Sequence, residues 1–210
     1  PLAKWLQVAQ FIPNTFMSDT TKTTRLDAVN TMLGAIGEAP VETLEGAVPV
    51  DVQTAKAVLE EVLKEVLSQG WHFNTEHDYP LTRTSEGKII VPSNAVHVDL
   101  DNYVYGLDYD VIIRGQYLYD RKNHTYIFNK DLDVTIIQLF DFEELPELVR
   151  NYIKLRAARV FQGRILGSDI SAREASVGEI MALVAMKQDE DAQADRTVFD
   201  NYSVARVLDR

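Results

Sequence analysis

Apolar residues recur with a helical period in four stretches of this chain, and with shorter alternation between the second and the third. Leu26, Val29, Met32, Leu33 and Ile36 fall on one face of a first helix. Thr24 with Asp27 three residues later has the form of a capping box that would start it. Gly37 is placed to take a left-handed stop, and Pro40 prevents continuation. After a loop over 43–49, a second helix is expected from Asp51, as its N-cap, to Gln69. Val52, Ala55, Val58, Leu59, Val62, Leu63, Val66 and Leu67 make its stripe, with Glu60, Glu61, Lys64 and Glu65 on the other side. Fully burying each Val or Leu contributes about 1.5–3 kcal/mol, so this helix is the largest local source of core. Gly70 ends it.

From Trp71 to Phe142 the pattern changes to short alternating or β-branched runs, separated by Glu86-Gly87, Pro92-Ser93-Asn94, Arg114-Gly115 and Lys122-Asn123-His124. The predicted strands are Trp71–Tyr79, Lys88–Val91, Val96–Asp99, Val111–Arg114, Tyr117–Tyr119, Tyr126–Asn129 and Val134–Leu139. A third helix starts with Pro146 at its first position and runs to about Ile165. A fourth starts at a capping box of Ser171 with Glu174 and turns Val177, Ile180, Met181, Val184 and Ala185 toward the interior. This order predicts an α+β protein. A four-helix bundle-like domain (17–70 plus 145–196) carries an inserted small antiparallel β domain (71–144). Beyond it lie an N-terminal arm (1–16) and a C-terminal tail (197–210) with scattered hydrophobes. The arm has two readings: an appended extension before Met17, or a docking helix whose stripe includes Trp5 and Leu6.

Composition narrows the function classes. No apolar run reaches the roughly 18 residues of a membrane span, and the opening segment lacks the form of a secretion signal. The chain has no cysteine, hence neither disulfides nor thiolate metal sites. A formal charge of -11 argues against coating a nucleic acid, although an acidic wall would let DNA slide past without sticking. His72 and His77 are expected on opposite faces of a strand. His97 and Asp99 share a face but are too few for a zinc site. Gly-x-Ser-x-Gly, a phosphate-binding Gly-rich loop and His-Glu-x-x-His are all missing. These readings predict a protein without cofactors and without enzymatic activity. The alternative is a glycan-binding or glycan-hydrolysing component acting on a host capsule. For it, Asp99 with Asp101, or Asp108 with Asp110, would flank a sugar bond beside Tyr103, Tyr105 and Tyr109; Asp also favours turns on its own account.

The third helix is the one basic element, with Arg150, Lys154, Arg156, Arg159 and Arg164. The economical reading pairs them with the acidic faces of the second and fourth helices in the same chain. The sharper one sends some of them to a neighbouring subunit. The candidate interface residues are therefore Trp5, Leu6, Tyr103, Tyr105, Tyr117, Tyr119, Arg150, Lys154, Arg159, Arg164, Phe199 and Tyr202.

One block carries a resemblance. Ala28-Val29-Asn30 runs into Ile36-Gly37-Glu38 with Pro40-Val41, then Thr43-Leu44-Glu45-Gly46, a long helix, and Gly70-Trp71 with Phe73-Asn74. With Tyr117-Leu118-Tyr119-Asp120-Arg121, Thr135-Ile136-Ile137-Gln138-Leu139 and Glu144-Leu145-Pro146-Glu147, it resembles tail tubular protein A, the adaptor or gatekeeper of short-tailed podovirus bacteriophages. The likeness covers roughly Leu26 to Gly167. It implies a structural virion protein of the phage tail, assembled in the host cytoplasm. Its members form a closed ring, dodecameric in the family, between the portal protein and the tubular nozzle, tubular protein B. Tail fibres attach at that junction, and genomic DNA passes through the lumen without sequence-specific binding.

Overall fold

The computed structural model describes residues 21–100, 108–167 and 169–193. The first helix, α1 (Arg25–Ala35), has the capping box foreseen: Asp27 N–H donates to the Thr24 hydroxyl, and the Asp27 carboxylate accepts from Thr24 N–H at 2.9 Å. Asn30 fastens the loop that follows, donating to Val41 O and accepting from Val41 N–H. Helix α2 (Val50–Leu67) is capped by Pro49 rather than Asp51, which sits in its first turn. Proline fixes φ and needs no N–H partner, so the helix starts upstream of the acid, which then acts on the helix dipole.

Gly70 stops the chain's helical path at φ +73. The strand expected from Trp71 begins only at Thr75, because His72–Asn74 form a 3-10 turn closed by a buried side chain. Asn74 Oδ1 accepts from Trp71 N–H at 2.7 Å, while its amide donates to Leu67 O and Gln138 O, both at 2.8 Å. One side chain thus joins the end of α2, the turn and the far end of the sheet.

That sheet is antiparallel, in the order β1 (Thr75–Leu81), β5 (Leu132–Gln138), β2 (Ala95–Leu100). The central strand buries Leu132, Val134 and Ile136 at every second residue. Between β2 and β5 in the chain, β3 (Val111–Arg114) and β4 (Tyr117–Asp120) form a hairpin pairing Val111 with Asp120 and Arg114 with Tyr117. Its two-residue turn opens on Gly115 at φ +62, a geometry glycine adopts without strain. The expected strands Lys88–Val91 and Tyr126–Asn129 are not strands. They are irregular segments: the first bridges Arg83 through Ile89 and β4 through Ile90 with Tyr117, and each is anchored by a buried side chain, Ile89 or Phe128.

Helix α3 (Glu147–Leu166), capped by Pro146 and ended by left-handed Gly167, packs against α1, α2 and α4 (Asp169–Gln193). The last helix begins two residues before Ser171, and the side chains of the expected capping box lie outside the described residues. Two apolar cores result, one among the four helices with Trp71 and Phe142, the other inside the sheet region with Ile89, Leu118 and Phe128.

One expectation about α4 is reversed. Val177, Ile180, Met181 and Val184 are exposed, at 52, 58, 68 and 47%, whereas Glu179, Ala182 and Met186 point inward. The reason is on α3: Arg156 and Arg159 both pair with Glu179, so the helix turns its acid, not its most apolar stripe, to the bundle.

Candidate assembly surfaces

Helix α3 holds its cations in four different ways. Arg150 is 4% exposed and spends its guanidinium on three carbonyls, Leu145 O (2.8 Å), Thr23 O (2.8 Å) and Glu143 O. It sits over the Phe142 ring, and so staples the approach to α1 against the 3-10 turn at Phe142–Glu144. Arg25 finishes that junction by bridging Glu60, Asp141 and Glu143. Arg164 makes a two-pronged pair with Glu61 of α2 at 2.7 Å. Arg159 meets Glu179, and Arg156 reaches both Glu179 and Glu65. Lys154 is partly exposed and lends its positive charge to Glu147, whose carboxyl burial raises and whose bonds from Thr23, with the Arg150 and Lys154 charges, hold below its usual range. Arg150, Arg159 and Arg164 are thus engaged within the chain.

On the β3–β4 hairpin, Tyr117 and Tyr119 lie on one face, as residues two apart on a strand must. Arg114 stacks 3.8 Å from the Tyr119 ring centre, Tyr126 meets it edge-on at 4.8 Å, and Lys88 stands 5.7 Å from Tyr117. On the other face Asp120 is fully buried. Burial pushes its carboxyl up, but bonds from Asn123 and from the N–H groups of Asp110 and Lys122 outweigh this and hold it below the ordinary carboxylate range. Trp5, Leu6, Tyr103, Tyr105, Phe199 and Tyr202 lie outside the described residues, as does Asp101.

His72 and His77 are brought together rather than apart. The 3-10 turn breaks the alternation, and both line a hollow with Thr75, Glu190 and Asp191, where Glu190 accepts from His72 N–H. Among the described residues no three His, Asp or Glu side chains are disposed to hold a metal ion. Nor is any described helix long and apolar enough to cross a membrane. Of the acids weighed for sugar chemistry, Asp110 pairs with Arg121 at 2.7 Å, and Asp99 accepts from the N–H of Leu100.

The functional residues that pattern reading missed are Arg25, Asn74, Asp120 and Glu179. Periodicity carries no signal for a buried polar side chain. Asn74, in Gly70-Trp71 with Phe73-Asn74, and Asp120, in Tyr117-Leu118-Tyr119-Asp120-Arg121, fall in the motifs quoted above, which mark them without saying what they do.

What these surfaces belong to is decided by comparison with known proteins. The family model described as tail tubular protein matches residues 26–196, through both the helices and the sheet. The chain belongs to the tail tubular protein family. Membership makes it a structural component of a bacteriophage tail. It is 33% identical over 122 residues to tail tubular protein A of Klebsiella phage KP34, a match covering 58% of this chain and 62% of that relative's length. The ion pairs of α3 join it to α2 and α4 within the chain.

Proposed function

We propose that this tail tubular protein is a non-enzymatic adaptor. It forms a closed ring, twelve-membered as the family resemblance implies, between the portal and the tubular nozzle. The observation that carries this reading is the family match over residues 26–196, which takes in the helices, the sheet and the Gly70-Trp71 junction alike. The mechanism is geometric: the ring continues the DNA exit channel and adapts portal symmetry to nozzle symmetry. Tail fibres attach at the junction, and assembly takes place in the host cytoplasm. The chain's net charge of -11 supports a lumen that repels the phosphate backbone and lets genomic DNA slide through.

Within this reading the subunit works as two lobes, a helical domain (17–70 plus 145–196) and an inserted β domain (71–144). Tyr117 and Tyr119, with their stacked Arg114 and Lys88, support a role for the hairpin as a contact surface. Trp5 and Leu6 of the arm, with Lys154 on α3, are further contacts. Phe199 and Tyr202 in the C-terminal tail dock into the portal.

The test is the mass of the purified chain by light scattering, alone and mixed with its portal protein, followed by particle imaging of the mixture. A ring seated on the portal is the expected result. A chain that stays monomeric and ignores the portal would overturn the adaptor reading.

A further inference from the structure

The guanidinium groups of the described residues are spent inside the chain, with one exception. Arg25, Arg83, Arg121, Arg156, Arg159 and Arg164 meet carboxylates, and Arg150 meets backbone carbonyls. Arg114 stacks on the Tyr119 ring and, among the described residues, has no acid of its own. The register of the hairpin sets what surrounds it. Ile112 pairs with Tyr119 and Arg114 with Tyr117, so these four side chains share the outer face, while Val111, Leu118 and Asp120 are buried on the other. Ile90, 53% exposed, extends the row through its bridge to Tyr117, and Tyr126 extends it edge-on beside Tyr119. Lys88, next to Tyr117, already holds Glu86 at 2.8 Å. The face is thus an aromatic and aliphatic platform around a single guanidinium. Tyrosine and arginine at the centre of an exposed apolar patch are the composition of a binding hot spot, and the guanidinium fork is matched to a carboxylate.

Carboxylates in the matching condition stand on the other lobe. In the helical domain Glu60, Glu61, Glu65, Glu147 and Glu179 are each held by an arginine or by Thr23. Glu38, Glu42 and Glu45 are exposed, and among the described residues none of their carboxylates has a hydrogen-bond or ion-pair partner. All three lie on the loop between α1 and α2, which enters α2 at Val50, 74% exposed. We propose that this loop of one copy docks on the Arg114 platform of the next, its carboxylates closing on the guanidinium. This deepens the ring reading above and rests on it. The occupant is a second copy because one chain carries both unmet charge sets, opposite in sign and on different lobes. They form the pair of unlike, complementary faces that head-to-tail closure requires. Glu38, Glu45, Tyr117 and Tyr119 also stand in the motifs that carry the family likeness, yet neither the three acids nor Arg114 ties its own lobe together.

The experiment is a charge reversal in the whole chain, alone and with the portal protein, read by light scattering. Arg114→Glu should raise the concentration at which oligomer appears by about tenfold or more, since it sets like charges against each other. The triple variant Glu38→Arg, Glu42→Arg, Glu45→Arg should do the same. Mixed in equal amounts, or combined in one chain, the two changes should restore assembly, because every contact then joins unlike charges again. Circular dichroism should be unchanged throughout, the altered side chains being exposed in the subunit. The chain has no cysteine, so engineered thiols are unambiguous. With a short bis-maleimide linker, Ala39→Cys and Ile90→Cys should give a cross-linked dimer when mixed, a ladder when both are in one chain, and no product singly.

Loss of assembly in Arg114→Glu that the reversed loop does not restore would mean that the platform meets something else, and the loop contact would be wrong. A ring-sized mass that ignores every charge reversal would sink this contact and leave the ring standing, closed through other faces. A chain monomeric even with the portal would remove the ring reading and this inference with it.

Discussion

Asn74 and Asp120 do at single positions what neither hydrophobic core can do: they satisfy backbone groups where the chain changes direction. Replacing Asn74 by Ala would orphan Leu67 O, Gln138 O and Trp71 N–H in a buried site. The expected cost is about 3 kcal/mol, measured by denaturant unfolding, because each buried group left unmade costs about 1–3 kcal/mol when water cannot replace its partner. Asp120→Ala would likewise strip partners from Asn123 and from the N–H groups of Asp110 and Lys122, with a loss of about 2 kcal/mol on the same scale. Asp120 also gives the hairpin an acid sensitivity of known sign. Its carboxyl is held below the ordinary range in the fold, so its contribution is complete above the unfolded pKa of about 3.9 and is lost as pH falls through the lower folded value. Amide exchange at β3 and β4 should therefore rise on acidification below about pH 4, and Asp120→Asn should abolish that pH dependence.

Helix α4 shows at the level of elements how far patterning reaches. Its existence was legible from spacing, as were α1 with its Thr24–Asp27 cap, α2, α3 and the β3–β4 hairpin. Its orientation was not. The rule that the more apolar stripe faces inward assumes the only partner is the chain's own core. Here Glu179, at 7% exposure, is held by two arginines, and that ionic side faces in. The lost strands have a related cause. Lys88–Val91 and Tyr126–Asn129 have strand-like composition, yet each buries one anchor, Ile89 or Phe128, and the pairing positions on β5 are already taken by β1 and β2. Truncating Glu179 to Ala would leave the partly buried Arg159 guanidinium without its acid and Arg156 with Glu65 alone, and the expected destabilisation is about 3 kcal/mol. It should appear first as faster amide exchange along α4, with α1 and α2 protected until global unfolding. At Gly70 a methyl group would stand 2.5 Å from Ile137 Cδ1 at φ +73, so Gly70→Ala should lower stability by about 1–2 kcal/mol, read from the same unfolding curve.

As a whole molecule the subunit has two cores joined by a few polar side chains. Arg25 and Arg150 work at one end of the junction and Asn74 at the other, each reaching from the helices toward the sheet or the turn that leaves it. Such a joint fixes how the two cores meet by hydrogen bonds of set direction. The sequence carried this scale through the family likeness of its motifs, since charge, period and composition alone end at an α+β protein with much to offer a partner. Helix α4, finally, has two sides of different chemistry. Its inner latch to Arg156 and Arg159 is ionic, while the outward Val177, Ile180, Met181 and Val184 face gains only from the release of water, a driving force that fades on cooling. Any contact made through that outer face would loosen in the cold while the subunit kept its fold, and would return on warming without any refolding.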